Sequence, residues 1–250
     1  MHQSLCVIPS RYASERLPGK PLLLIKGKTL IQRVWERVVS SHLFDEVVVA
    51  TDDERIFQHV IELGGKAMMT SKDCRSGTER LIEVSEKMDH FDIYVNVQGD
   101  EPLIPSKLLE SLLAELQDGQ GPLVVTASTR VHVNEIQDPN AVKVVVDAQN
   151  RALLFSRAAI PFSRKGEWEI QMHAKHIGLY GFTQQALKAI KEMPATHLEA
   201  YESLEQLRWL YHGMPIKVIP TSYVAFGVDV PDDISLVERI IDDQLRGGVH

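Results

Sequence analysis

The segment Leu5 to Val39, LCVIPSRYASERLPGKPLLLIKGKTLIQRVWERVV, decides how the chain is read. It opens as a continuous apolar run, Leu5 to Ile8, as in a strand covered on both faces. It closes with Leu30, Val34 and Val38, flanked by Ile31 and Trp35, at helical spacing. Thr29-Leu30-Ile31-Gln32 fits a capping box and marks the helix start. Between them lies a loop with Pro9, Pro18, Pro21 and Gly19 that also carries Arg11, Arg16, Lys20 and Lys26. A cationic loop after a buried strand suits an anion. Arginine forks, a lysine point charge and backbone amides together could surround a polyphosphate.

Working outward, similar apolar runs occur at Val47 to Ala50, Ile93 to Val97, Leu123 to Ala127, Val142 to Val146 and Ile216 to Ile219. Between the earlier runs, Ile56, Val60 and Leu63, then Leu81, Val84 and Met88, then Leu108, Leu112 and Leu116 keep helical spacing. Ser76-Gly77-Thr78-Glu79 is a second capping box. This βαβα order predicts an α/β fold of three layers, a mainly parallel sheet with helices on both faces. The 250 residues suffice for a large core and fit one α/β domain or two small ones, with no repeat, low-complexity tract or linker visible. The stretch from Arg151 to Lys175 is the least regular and reads either as an arm leaving the sheet or as a long surface loop.

Composition narrows the function. A formal charge of −7 gives no support to a general nucleic-acid surface or an anionic membrane as partner. Cys6 and Cys74 are too few for a disulfide framework or a structural zinc site, and Cys6 lies in an apolar run that suits core packing. MHQSLCVIPSR lacks a signal peptide's apolar region, and no apolar stretch reaches the ~18 residues of a spanning helix. The expectation is a soluble, cytoplasmic protein. Gly27-Lys28-Thr29 resembles the end of a Walker A loop, but Leu22 stands where that pattern needs glycine. Gly119-Gln120-Gly121 fails the dinucleotide fingerprint at Val124. His173 and His176 form an H-x-x-H without a third zinc ligand of convincing spacing.

In open α/β sheets ligands bind beyond the C-terminal ends of strands. There the cationic loop faces Gln98-Gly99-Asp100-Glu101-Pro102, which follows the third run. A polyphosphate calls for a metal, and magnesium takes one or two hard carboxylates. Asp100 and Asp229 are the candidates. Each has a plainer reading: Asp100 as part of a turn, Asp229 as a cap for the last helix.

A resemblance adds to this. Ile8-Pro9-Ser10-Arg11-Tyr12-Ala13-Ser14, Arg16-Leu17-Pro18-Gly19-Lys20-Pro21, Ser76-Gly77-Thr78-Glu79-Arg80, Val97-Gln98-Gly99-Asp100-Glu101-Pro102, Asn140-Ala141-Val142-Lys143, Ser156-Arg157-Ala158, His176-Ile177-Gly178-Leu179-Tyr180-Gly181, Leu204-Glu205-Gln206-Leu207-Arg208 and Gly227-Val228-Asp229 stand in this order. Together they closely resemble the 3-deoxy-manno-octulosonate (Kdo) cytidylyltransferases, or CMP-Kdo synthetases.

The resemblance implies a nucleotide-diphospho-sugar transferase (Rossmann-like) fold in a single domain over residues 1–250. Residues 151–182 are then the candidate for a protruding or dimer-forming segment of a homodimer. It implies CTP and Kdo as substrates, Mg2+ as cofactor and a role in lipopolysaccharide synthesis. It assigns Lys20, Asp100 and Asp229 to catalysis, with the two aspartates on the metal. Arg11, Ser14, Arg16, Lys20, Ser76, Gly77 and Gln98 would bind the nucleotide. Arg80, Gln98, Arg157, His176, Tyr180, Glu205 and Gln206 would form the sugar pocket, with Arg157 as the forked partner of the Kdo carboxylate. The alternatives are a sugar-acid nucleotidyltransferase for 8-amino-Kdo or sialic acid, and a nucleotide-binding regulator without turnover. Without the resemblance, Glu205 and Arg208 read as an exposed i, i+3 pair and Tyr180 as a core residue.

Overall fold

A computed structural model of the chain describes residues 2–13, 17–119 and 123–247. In β1 (Ser4–Ser10), Leu5 and Val7 enter one core while Cys6 and Ile8 enter another. That two-residue period places β1 inside the sheet, as its unbroken apolar run predicts. After the cationic loop, a hairpin of β2 (Leu24–Ile25) and β3 (Lys28–Thr29) leads into α1 (Leu30–Val39). The Thr29 hydroxyl accepts from the Gln32 N–H, so the predicted cap forms.

The chain continues through β4 (Glu46–Thr51), α2 (Glu54–Glu62), β5 (Lys66–Met69), α3 (Gly77–Lys87), β6 (Ile93–Asn96), α4 (Ser106–Asp118) and β7 (Val124–Arg130). It then forms β8 (Lys143–Val146), β9 (Ala152–Ser156), β10 (Ala174–Thr183), α5 (Gln184–Glu192), α6 (His197–Glu202), α7 (Gln206–Tyr211), β11 (Ile216–Pro220) and α8 (Pro231–Gly247). The main sheet is ordered β11-β7-β10-β6-β1-β4-β5. β1 pairs in parallel with β4 and with β6, while β10 runs antiparallel between β6 and β7.

Ile31, Val34, Ile56, Val60 and Leu112, from α1, α2 and α4, pack on one face of the sheet. Leu81, Val84, Leu187, Ile190 and Trp209, from α3, α5 and α7, pack on the other. This is the three-layer α/β arrangement read from the alternating runs. A third cluster joins Val237 of α8 to Ile25, Leu30, Leu103 and Val228, beside an ion pair of 2.6 Å between Lys26 and Asp242. That packing returns the end of the chain to the cationic loop.

Three strands of the nine-stranded main sheet escaped the sequence reading. β5 is a short edge, and β9 pairs with β8 in a ribbon off the main path. β10 matters most, because part of the segment 151–182, the candidate for a protruding or dimer-forming segment, lies in the middle of the sheet. Its His176, Gly178 and Gly181 dilute the strand signal, and a register shift interrupts it between Ile177 and Tyr180. Neighbours on both sides hold it. The helical stretch expected from Glu199 to Tyr211 is likewise two short helices broken at Ser203, which adopts the left-handed conformation at φ 51°.

The sheet positions the site. β1 leads away to β4 on one side and is flanked by β6 on the other, so a crevice opens where the strand order reverses. The loops after β1 and β6 meet there. A Cβ on Gly99 would lie 2.7 Å from the Pro9 carbonyl oxygen, so only glycine allows this approach.

A Cβ on Gly181 of β10 would collide with Leu112 and Leu116 of α4. Gly181→Ala should therefore destabilise the protein by about 1–3 kcal/mol through overpacking. Thermal unfolding should show the midpoint several degrees lower, and an unchanged midpoint would mean α4 yields without strain.

Candidate active site

A cleft of about 420 Å³ lies between the β1 and β6 loops, lined among others by Ser10, Arg11, Lys20, Ser76, Gly77, Asp100 and Asp229. Beside it is a second pocket of about 590 Å³, lined by His176, Tyr180, Glu205, Gln206 and Arg208. Ser76 and Gln98 border both.

Lys20 begins a 3-10 turn after Gly19, whose N–H bonds the Tyr12 carbonyl at 3.1 Å. Its ammonium donates to Asp100 Oδ2 at 2.7 Å and to Asp229 Oδ1 at 3.1 Å. Burial alone would lower the Lys20 pKa, but the Asp100 charge and the bonds to both carboxylates outweigh it and leave it raised. The N–H of Val228 donates to the Asp100 carbonyl at 3.0 Å, which locks the two aspartate segments together. The carboxylate of Asp233, in the first turn of α8, reaches back to accept from the N–H groups of Asp229 and Val230. The Asp229 side chain accepts from Lys20.

Glu101, which sequence reasoning passed over, accepts from the Tyr223 hydroxyl at 3.0 Å. Burial and the charge of Asp100 push its pKa up to about 7. Its only signal was its place beside Asp100.

Ser76 caps α3 and donates to Glu205 Oε2 at 2.8 Å, and Thr78 donates to Glu205 Oε1 at 2.7 Å. Glu205 is therefore the partner of the α3 N-terminus, and the exposed Glu205–Arg208 pair is not formed. Burial raises the Glu205 pKa against the pull of those hydroxyls. Arg208 is buried, with Glu199 3.6 Å away.

Thr126 Oγ1 lies 2.9 Å from His176 Nε2, and burial pushes His176 down to about 3, so the imidazole is neutral. His173 bonds elsewhere, to the Ile160 carbonyl at 2.9 Å. The Tyr180 hydroxyl and both amide atoms of Asn96, its cross-strand neighbour, are buried without hydrogen-bond partners among the described residues. Asn96 was also missed, although a polar residue inside the run Ile93 to Val97 was a signal. Gln98 is tied to the Gly178 carbonyl at 3.2 Å.

Two expected sugar-pocket residues are committed elsewhere. Arg80 reaches the cleft wall, but its guanidinium bonds Thr70 and forms an ion pair with Asp52 at 3.0 Å. Arg157 lines neither pocket: its guanidinium donates to the carbonyls of Glu202 at 2.7 Å, Pro139 at 2.8 Å and Ser203 at 3.3 Å. Three of the five guanidinium N–H donors are thus spent on main-chain oxygens. Ser14 and Arg16 lie outside the described residues.

The fold, the cationic loop and the paired aspartates define a cytidylyltransferase, and the family model of that description matches residues 5–217. The chain is 43% identical to the 3-deoxy-manno-octulosonate cytidylyltransferase of Thermodesulfovibrio yellowstonii, covering 96% of this chain and 98% of the relative. It is also 43% identical to the enzyme of that name from Zea mays, covering 94% and 80% respectively. A solved CMP:2-keto-3-deoxy-manno-octonic acid synthetase complexed with CTP superposes with a TM-score of 0.90 at 42% identity, over 97% of this chain and 99% of the other. The 4-diphosphocytidyl-2C-methyl-D-erythritol synthase of Anaerococcus prevotii, at 13% identity and a TM-score of 0.64 over 96% and 99%, shares the fold alone. The chain belongs to the 3-deoxy-manno-octulosonate cytidylyltransferase family and is a nucleotidyltransferase.

His176 carries a pH signature. Its folded pKa of about 3 lies below the ordinary histidine value of 6.5. As pH falls between those values the unfolded chain takes up a proton that the folded one refuses, so stability is lost on acidification. His176→Gln, which removes the titrating ring, should flatten the fall in unfolding midpoint below about pH 6.5. Superimposable profiles for the two proteins would show that the imidazole is not held neutral.

Proposed function

We propose that the protein joins CTP and Kdo into CMP-Kdo with release of pyrophosphate, and that this serves lipopolysaccharide synthesis in the cytoplasm. The carrying observation is the Lys20 ammonium between Asp100 and Asp229, at the crevice between the β1 and β6 loops. Among the described residues no helix is long and apolar enough to cross a membrane.

The two aspartates fit a magnesium ion. Both offer hard oxygens, and their sharing of one ammonium is consistent with a place built for positive charge. Among the described residues no group of three or more His, Cys, Asp or Glu gathers around a cation site. Magnesium needs only one or two protein carboxylates, with water and substrate phosphate completing its shell. Bound there, it supplies Lewis-acid polarisation of phosphoryl oxygens.

The chain's own groups do the rest. Arg11 and Lys20 hold the triphosphate and stabilise the charge that builds on departing pyrophosphate. Ser76 and Gly77, at the α3 N-terminus, lie alongside the base. Kdo occupies the second pocket, where neutral His176, the Tyr180 hydroxyl, Gln206 and the Glu205 carboxylate meet its hydroxyls. The anomeric hydroxyl gives its proton to solvent water and its oxygen bonds the α-phosphorus as the bond to pyrophosphate breaks and pyrophosphate leaves, at the boundary formed by Ser76 and Gln98. Holding both reactants across that boundary supplies much of the rate by orientation alone.

The family reading also makes a homodimer. Leu153 is 61% exposed, Phe162 82% and Met172 59%, all within residues 151–182. Single exposed apolar side chains are common, and several within one segment suit a contact surface.

A pyrophosphate-release assay over a panel of nucleotides and sugar acids tests the reading. CTP with Kdo should be preferred, and a higher kcat/KM for another pair would replace it. Asp100→Asn and Asp229→Asn should each stay folded yet lose about 10²-fold or more in turnover, the scale of removing one strong electrostatic stabiliser. Near-normal turnover in both would remove the metal assignment. In sedimentation, the wild-type protein should run as a dimer and Phe162→Asp as a monomer, whereas a monomeric wild type would refute the dimer.

A further inference from the structure

Arg157 stands at the end of β9, and its backbone N–H and guanidinium both reach the C-terminus of α6. The Glu202 carboxylate accepts from the Ser156 hydroxyl at 2.6 Å and from the Arg157 N–H at 2.8 Å. In return the guanidinium takes the carbonyls of Glu202 and Ser203, with a third donor on Pro139. The last carbonyls of a helix have no partner inside it, and a cation there also meets the negative end of the helix dipole. Beneath this contact, Lys143 is fully buried and donates to the carbonyls of Arg157 at 2.7 Å and Asp138 at 2.8 Å.

The carbonyls held by Arg157 flank the break between α6 and α7. Ser203 sits there at φ 51°, a conformation that a residue with a Cβ adopts only when its surroundings impose it. Immediately beyond come Leu204, buried in the core, and then Glu205 and Gln206 on the wall of the second pocket. Only Ser203 and Leu204 separate the splinted carbonyl of Glu202 from Glu205, whose oxygens hold Ser76 and Thr78. A change in the angle at Ser203 would therefore move Glu205 and Gln206 and loosen the α3 N-terminus.

The geometry points to Arg157 and Glu202 as a positioning pair that sets the α6–α7 break, and through it the pocket wall, without touching substrate. This rests on the second pocket being the sugar-acid site. Arg157 acts through Glu205 and Gln206, and Lys143 fixes the main chain from which it reaches. Glu202 is as much a part of the device as Arg157, although it lines neither pocket.

The test compares Arg157→Ala, Glu202→Gln and the double variant in the full-length protein. Each single change should raise KM for Kdo about 10-fold, with a smaller rise in KM for CTP through the loosened α3 N-terminus. The double variant should be no worse than the more damaging single one, because both remove the same splint. Additive losses would overturn the pairing. Kdo carboxamide, used as a competitive inhibitor, separates positioning from direct contact. A positioning residue costs the same fold-change against carboxamide and carboxylate, whereas a loss in Arg157→Ala confined to the carboxylate would make Arg157 a direct ligand and overturn the proposal.

Near-UV circular dichroism without substrate gives a readout independent of the sugar. Trp209 of α7 packs edge-on against Tyr180 at 5.2 Å between ring centroids, so its signal should change in Arg157→Ala and in the gentler Glu202→Gln. A changed spectrum with kinetic losses falling on another sugar acid would sustain the splint and remove only the Kdo reading. An unchanged spectrum in both variants would remove the splint.

Discussion

One ammonium group joins three segments that are distant along the chain. Lys20 follows β1, Asp100 follows β6 and Asp229 precedes α8, and the separations of 2.7 and 3.1 Å leave little freedom in how those segments meet. Two carboxylates drawn together in a partly desolvated crevice repel unless a cation lies between them. Closing the cleft and neutralising it are thus one event. The glycine approach of Gly99 to Pro9 and the bond from Val228 to the Asp100 carbonyl serve the same end. The raised pKa of Lys20 follows from that geometry, since the aspartates outweigh the cost of burying its charge.

The two pockets differ in electrostatic character, and the sheet explains why. The first opens at the ends of parallel strands, where a cationic loop and a helix N-terminus both favour anions. The second lies over β10, whose neutral imidazole and buried tyrosyl hydroxyl, without a hydrogen-bond partner among the described residues, suit a polyhydroxylated ligand. Ser76 belongs to both, because its hydroxyl caps α3 and also binds Glu205. A shift in the wall of one pocket is therefore felt at the boundary of the other. That coupling suits a reaction in which an oxygen from one substrate must meet a phosphorus of the other in line.

Local chemistry made much of the fold legible before any coordinates. Thr29 and Ser76 cap the helices that their capping boxes announce, and the runs at Leu5, Val47 and Ile93 form neighbouring parallel strands. What resisted was β10. Its histidine and glycines obscure the pattern because it is shaped by what it touches: Gly181 yields room to α4, and Tyr180 packs in the core while also bordering a pocket. The break at Ser203 was hidden for a similar reason, since the residues from Glu199 to Tyr211 read as one helix until contacts from β9 bend them.

By itself the sequence determined the alternation of strands and helices, the cationic loop after the first strand and the family to which its ordered motifs belong. Each of these depends on residues close together in the chain, where period, capping and turn chemistry act. Only the tertiary structure decided which charges meet. Lys20 finds its aspartates 80 and 209 residues away, and Glu205 finds Ser76 across 129. It also decided which do not: Arg157, a plausible carboxylate partner on its motif alone, is drawn to the unpaired carbonyls at the end of α6. A guanidinium bonds the acceptors that packing brings within reach, and that distance is a property of the fold, not of the motif.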